Sequence, residues 1–260
     1  MPTFHAIDGA ELHYSELGPG GGIPLLFVHG WLGDGGAWAA VAERLAKRHR
    51  TIVLDQRGFG ASHAAPGPYR VETLADDLSA LVAALDLDPL VAIGHSMGAA
   101  IVARFAVDRP DAVEGLVLVA PVPPRALPLA PPARQMFRDV AGDALKAAAW
   151  LGKLTYREPA REVVALMRGA AAAVSREVAL ESLESWTTLD FAGDVETIET
   201  PTLVLAPEFD RPMTPELARE SVADLIAGSA FAIVPEAGHY APLERPDFIA
   251  DAIERFVTEL

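Results

Sequence analysis

The feature that most limits how this sequence can fold is a series of short, continuously apolar runs, each stopped by a glycine, a proline or a polar residue. Leu25-Leu26-Phe27-Val28 stops at His29-Gly30, and Thr51-Ile52-Val53-Leu54 stops at Asp55. Leu90-Val91-Ala92-Ile93 runs into Gly94, and Leu116-Val117-Leu118-Val119 into Ala120-Pro121. Leu203-Val204-Leu205-Ala206 ends at Pro207, and Ala230-Phe231-Ala232-Ile233-Val234 at Pro235. Such runs are too short for surface helices and lack the polar alternation of a half-exposed strand, so they read as strands covered on both faces. Helical spacing fills the segments 36–47, 71–85, 97–107, 215–226 and 246–258. Phe4–Ile7 and Leu12–Ser15, meeting at Asp8-Gly9, read as an antiparallel hairpin. The expected fold class is therefore α/β: a mainly parallel central sheet of about eight strands, flanked by helices.

The alternation breaks once. Between Pro121 and Thr200 no buried-strand pattern occurs; a proline-rich stretch (Pro121, Pro123, Pro124, Pro128, Pro131, Pro132) leads into alanine-rich segments of helical spacing. Met136, Phe137, Trp150, Leu151, Leu154, Leu166, Met167 and Trp186 give those segments apolar faces, which favours a packed cap over a linker. The expected organisation is a core formed by 1–120 and 201–260, with a helical cap, 121–200, inserted through a stiff hinge.

Acidic residues outnumber basic ones by 36 to 21, for a formal charge of −15, which repels phosphate backbones and anionic lipid. Nucleic-acid and membrane partners are thus not expected, and the charge favours solubility. The absence of cysteine rules out disulfides and thiolate metal sites. The start, Met1-Pro2-Thr3-Phe4-His5, has no basic and apolar leader, and no apolar stretch reaches membrane-spanning length, so a cytoplasmic location is expected.

The chemistry centres on Gly94-His95-Ser96-Met97-Gly98, between a buried run and a helical segment. A serine on a sharp strand-to-helix turn needs small residues two positions to either side, where a side chain would strike neighbouring backbone. The turn lifts the hydroxyl out at the C-terminal edge of the sheet and sets the unpaired N–H groups of a helix start beneath it.

With this motif the sequence resembles the α/β-hydrolase family, in its esterase- and lactonase-like branch with a helical cap. His29-Gly30-Trp31 after one strand, Asp55-Gln56-Arg57-Gly58-Phe59-Gly60-Ala61-Ser62 after the next, and Gly238-His239 near the end extend the resemblance over essentially the whole chain. It implies a nucleophile elbow and the chain order serine, acid, histidine. Ser96 is then the nucleophile. His239 follows the last strand and serves as its base, since a serine hydroxyl is weakly nucleophilic without one. Asp210, after the strand 202–206, matches the family's usual acid position, with Glu208 and Asp194 as alternatives. The family's oxyanion hole maps to the backbone N–H groups of Trp31 and Met97. Leu32, Met136, Phe137, Trp150 and Tyr240 are candidates for the substrate pocket, whereas Asp55, Arg57, Gly58 and Gly60 read as structural. His95 is an elbow neighbour whose side chain points away from that of Ser96.

The resemblance implies hydrolysis of small, apolar or neutral carboxylic esters or lactones through an acyl-enzyme, with no metal or organic cofactor. Meta-cleavage-type C–C hydrolysis and cofactor-free haloperoxidase or perhydrolase chemistry use the same triad and stand as alternatives. A non-catalytic small-molecule receptor on the same scaffold is a third. Dehalogenases and epoxide hydrolases of this fold carry Asp at the elbow, which Ser96 argues against. Neither the natural substrate nor the oligomeric state is legible.

Overall fold

The computed structural model describes residues 1–260, and the apolar runs form its strands. β1 (Thr3–His5), β2 (Glu11–Leu17), β3 (Leu25–Val28), β4 (Thr51–Leu54), β5 (Leu90–His95), β6 (Val113–Val119), β7 (Thr202–Pro207) and β8 (Ala230–Val234) make one sheet in the order β1-β2-β4-β3-β5-β6-β7-β8. β1 and β2 pair antiparallel, as do β2 and β4, and all the pairs from β4 through β8 are parallel. After β3 the chain adds β4 on one side, then crosses to add β5 on the other. Strand order therefore reverses between β3 and β5, and in an open α/β sheet a crevice forms at the carboxyl ends of such a pair.

Two-residue periodicity divides the core. Leu25, Phe27, Val91, Ile93, Val117 and Val119 face α1 (Ala39–Leu45) and the C-terminal helix Pro246–Glu259. Leu26, Val28, Leu90, Ala92, Leu116 and Leu118 face the opposite side, with α2 (Val71–Leu85) and α3 (Met97–Asp108). β3, β4, β5 and β7 are buried at every position, as their unbroken apolar character requires.

β8 departs from that expectation. It is the last strand of the sheet, and Ile233 is exposed, so it is covered incompletely. The Arg219 guanidinium lies over the Phe231 ring instead. The opening hairpin is also shifted. β1 stops at His5 because Ile7 already enters the turn and is exposed, while β2 continues to Leu17 because its register against β4 runs from Tyr14–Leu54 to Leu17–Thr51.

The stretch between β6 and β7 is helical: α4 (Pro131–Val140), α5 (Ala144–Leu151), α6 (Arg161–Ala173), α7 (Arg176–Thr188) and α8 (Ala192–Val195). Local chemistry sets their starts. Pro131 opens α4, the Asp143 carboxylate accepts from the Lys146 N–H, and Ser175 Oγ accepts from the Val178 N–H. Phe137, Leu151, Met167 and Trp186 join the same buried cluster as α2 and α3, so the insertion shares the main core. Two helices follow β7 and β8: α9 (Pro215–Ser221) and α10 (Ala241–Glu244), after which α11 (Pro246–Glu259) ends the chain. No helix is long and apolar enough to cross a membrane.

The loop after β4 is structural, as its sequence suggests. The Asp55 carboxylate accepts from the N–H groups of Gly35 (2.7 Å) and Ala61 (2.8 Å). Arg57 is buried and donates two bonds to Asp77 on α2, at 2.9 and 2.6 Å, and others to Asp8 and the Pro66 carbonyl. Arg57 holds the carboxyl of Asp8 down at about 2, whereas burial pushes that of Asp77 up against the pull of the same guanidinium. Removing one partner of a buried pair leaves the other desolvated and uncompensated. Asp77→Ala is accordingly expected to cost about 3 kcal/mol in urea unfolding, and Asp8→Ala, at a half-exposed position, under about 1 kcal/mol.

Candidate active site

Ser96 stands between β5 and α3 with φ 56° and ψ −119°, a strained conformation for a residue with a side chain. Close backbone packing imposes it. A Cβ on Gly94 would overlap the Gly98 carbonyl group, and one on Gly98 would lie 2.5 Å from the carbonyl oxygens of Val28 and His29. The loop after β3 is equally close: a Cβ on Gly30 would be 3.1 Å from that of Ser96. The two strands at the reversal of strand order thus bring the Gly30-Trp31 backbone against the serine.

His239 arrives on the loop after β8 and Asp210 on the loop after β7. His239 Nδ1 lies 2.8 Å from Asp210 Oδ2, and its Nε2 lies 3.0 Å from Ser96 Oγ. In the tautomer that satisfies both contacts, Nδ1–H donates to the carboxylate and the serine O–H donates to Nε2. All three residues are buried. The second oxygen of Asp210 accepts from the Met213 N–H at 3.0 Å, which fixes the carboxylate. The alternatives for the acid are engaged elsewhere: Glu208 accepts from the Glu236 N–H, and Asp194 pairs with Arg104.

His95 has a supporting place that its motif does not reveal. Its side chain turns away from the serine, and its Nε2–H donates to the His239 carbonyl at 2.7 Å. Burial, and then the neighbouring His239, push its pKa down to about 3, so it remains neutral. His29, also buried and held neutral by desolvation, donates from Nδ1 to the Gly30 carbonyl and accepts at Nε2 from the Gln56 N–H. This keeps the Trp31 loop in place. The Trp31 N–H has no backbone acceptor in the fold. Met97 opens α3, so its N–H has no partner within the helix.

Above Ser96 lies a narrow cavity of about 30 Å³, room for about two water molecules. Phe137, Trp150 and Tyr240 line it, together with Leu154, Trp186 and Met213. Two anticipated residues are elsewhere. Leu32 is buried in the turn behind the lining, and Met136 lies on the solvent side of α4. Successive helical residues point about 100° apart, so α4 can turn Phe137 inward only by turning Met136 away. Trp31 packs edge-on against Phe137, Trp150 and Trp186 and donates its indole N–H to the Ala179 carbonyl of α7. Leu154, at the end of a short helical turn after α5, extends the lining, as do Pro212 and Met213, which come from a loop with no periodicity to mark them.

A parallel sheet with a strained serine at its point of reversal, completed by histidine and aspartate from two later loops, defines an α/β hydrolase architecture. Residues 23–161 match the family model for the alpha/beta hydrolase fold, and the chain belongs to that family. It is 26% identical over 275 residues, 98% of each chain, to the non-heme chloroperoxidase CPO-A1 of Kitasatospora aureofaciens. Among solved structures it resembles a thermophilic esterase from Thermogutta terrifontis, at 30% identity and a TM-score of 0.85 over 99% of this chain and 98% of that one. It also resembles the enol-lactonase of Burkholderia xenovorans LB400, at 27% identity and a TM-score of 0.88 over 99% and 100%.

The buried His95 makes stability depend on pH. Its folded pKa lies below the ordinary 6.5, so between 6.5 and about 3 the unfolded chain takes up a proton that the folded chain refuses. This contribution is complete above 6.5 and is lost as pH falls through that window. His95→Gln, which keeps a side-chain N–H for the His239 carbonyl, is expected to lose stability less steeply over the same range, read as the urea midpoint against pH.

Proposed function

We propose that this protein hydrolyses small carboxylic esters, lactones included, through an acyl-enzyme on Ser96. The observation that carries the reading is the continuous Ser96–His239–Asp210 relay beside two unspent backbone N–H groups. Ser96 Oγ attacks the carbonyl carbon as His239 Nε2 takes its proton, and Asp210 stabilises the imidazolium. The oxyanion of the tetrahedral intermediate accepts from the Trp31 and Met97 N–H groups; one such donor typically contributes about 3 kcal/mol to the transition state. Collapse expels the alcohol, which leaves with the proton held by His239. His239 then deprotonates a water that attacks the acyl carbon, and the acid departs as Ser96 regains its proton. A lactone follows the same course, its leaving alcohol remaining tethered. The narrow apolar cavity favours a short, uncharged acyl group.

A second reading shares every step up to the acyl-enzyme. Hydrogen peroxide in place of water would release a peracid, which oxidises halide outside the site. The full-length likeness to a protein named a non-heme chloroperoxidase favours it.

A short-chain aryl ester and a fluorophosphonate probe test the common mechanism. The wild type is expected to turn over the ester and to form a covalent adduct that Ser96→Ala abolishes; an adduct persisting in that variant would rule out Ser96 as the nucleophile. Asp210→Asn, which keeps the shape but stabilises the wrong tautomer, is expected to lower kcat by about 10⁴-fold. For the second reading, acetate, peroxide and bromide should brominate a phenolic reporter only while Ser96 is intact.

A further inference from the structure

The loop that carries His239 is tied to the helical insertion by contacts outside the relay. The His239 N–H donates to the Leu154 carbonyl at 2.8 Å. Two residues on, the Tyr156 N–H donates to Glu244 Oε2 at 2.7 Å, and the same carboxylate accepts the Gly238 N–H at 3.1 and 3.2 Å. The Tyr156 ring stacks on Phe209, next to Asp210, with centroids 4.3 Å apart. Arg157 pairs with Glu236.

Glu244 accepts from the backbone on both sides of this junction. It is half-buried, and burial raises the pKa of its carboxyl. The nearby cations do not neutralise it, since Arg157 and Arg245 both pair with Glu236. A carboxylate kept in partial burial on backbone N–H groups acts through geometry, because it accepts from the N–H of Gly238 and the N–H of Tyr156 together and so adds a direct tie to the His239–Leu154 bond beside it. Leu154 also lines the cavity above Ser96, so a shift of the segment 154–157 would both widen the cavity and reach the loop of His239. In such a shift, the bond from His239 N–H to Leu154 is strained or broken.

We propose that Glu244 is a positioning residue for His239, holding the loop of the base docked to segment 154–157 so that Nε2 returns to Ser96 each time the segment closes. This rests on the hydrolase reading above. Glu244 makes no hydrogen bond to Ser96 or to the imidazole; it reaches His239 through the backbone of Gly238 and, at longer range, through its charge.

Three variants separate its reach from its charge. Glu244→Ala removes both, Glu244→Asp keeps the charge but is one methylene short, and Glu244→Gln keeps the reach and one acceptor oxygen. With a short-chain aryl ester, kcat is expected to fall about ten- to a hundredfold in Glu244→Ala and Glu244→Asp, while KM stays within about twofold. Glu244→Gln should recover most of the loss. The downfield proton resonance of the His239–Asp210 hydrogen bond should broaden or move in the Ala and Asp variants and hold its place in Gln. Wild-type kcat and resonance in Glu244→Asp would overturn the assignment, as would equal losses in Asp and Gln. If Glu244→Ala does not fold, the other two decide. The resonance reports on Glu244 even without turnover, so a wild type that neither hydrolyses the ester nor takes the fluorophosphonate would sink the hydrolase reading alone.

Discussion

Between β5 and α3, backbone runs directly against backbone. Gly94 meets Gly98 across the turn, and Gly98 meets the carbonyls that end β3, at separations that admit no side chain. Strain at Ser96, of order 1–3 kcal/mol, follows from that contact. The elements on either side can hold it: β5 is wholly buried, as are Ile101, Val102 and Phe105 of α3, and each large apolar side chain buried contributes about 1.5–3 kcal/mol. Two such side chains outweigh the strain. The serine hydroxyl is consequently presented at a fixed height above the sheet, at the place where the order of strands reverses.

The other members of the relay are positioned against this fixed point by longer routes. Asp210 is short and closely held, its two oxygens engaged by His239 and the Met213 N–H. His239 sits on a loop whose backbone is held from two directions, by His95 beneath it and by Leu154 from the insertion. Ser96 thus belongs to the sheet, whereas His239 is shared between the sheet and the layer that covers it. Any displacement of that layer is felt by His239 before it is felt by the serine.

The sequence made the sheet legible because strands buried on both faces leave no ambiguity of pattern. Gly94 and Gly98 made the elbow legible because close packing demands them at that spacing. The order of Ser96, Asp210 and His239 followed from the family resemblance, and the hydrogen bonds bear out that arrangement. Ala230–Val234 carries the same apolar signature as the central strands, yet it lies at the edge; its neighbours are decided by topology, which its own composition does not encode. Met136 and Phe137 are adjacent on an amphipathic helix, and the phase that buries one and exposes the other depends on how α4 docks. The bonds from His95 to the His239 carbonyl and from Glu244 to two backbone N–H groups join loops far apart in the chain. Acceptors and donors of the main chain are the same at every position, so such contacts leave no trace in the sequence.

The insertion shares one apolar cluster with the sheet, and this constrains how the cavity opens. Lifting all of α4 to α8 would expose Phe137, Met167 and Trp186 together, at about 1.5–3 kcal/mol or more for each. Displacing the segment 154–157 breaks fewer contacts: His239 to Leu154, Tyr156 to Glu244, an exposed ion pair from Arg157, and the Tyr156–Phe209 stack, which contributes about 0.5–1.5 kcal/mol. A hydrogen bond of this kind contributes about 1 kcal/mol net, and an exposed ion pair less. The lower-energy opening is therefore the local one, with the aromatic ceiling of Trp31, Phe137, Trp150 and Trp186 left in place. Access to Ser96 and the placement of its base are then governed by the same four residues of the insertion.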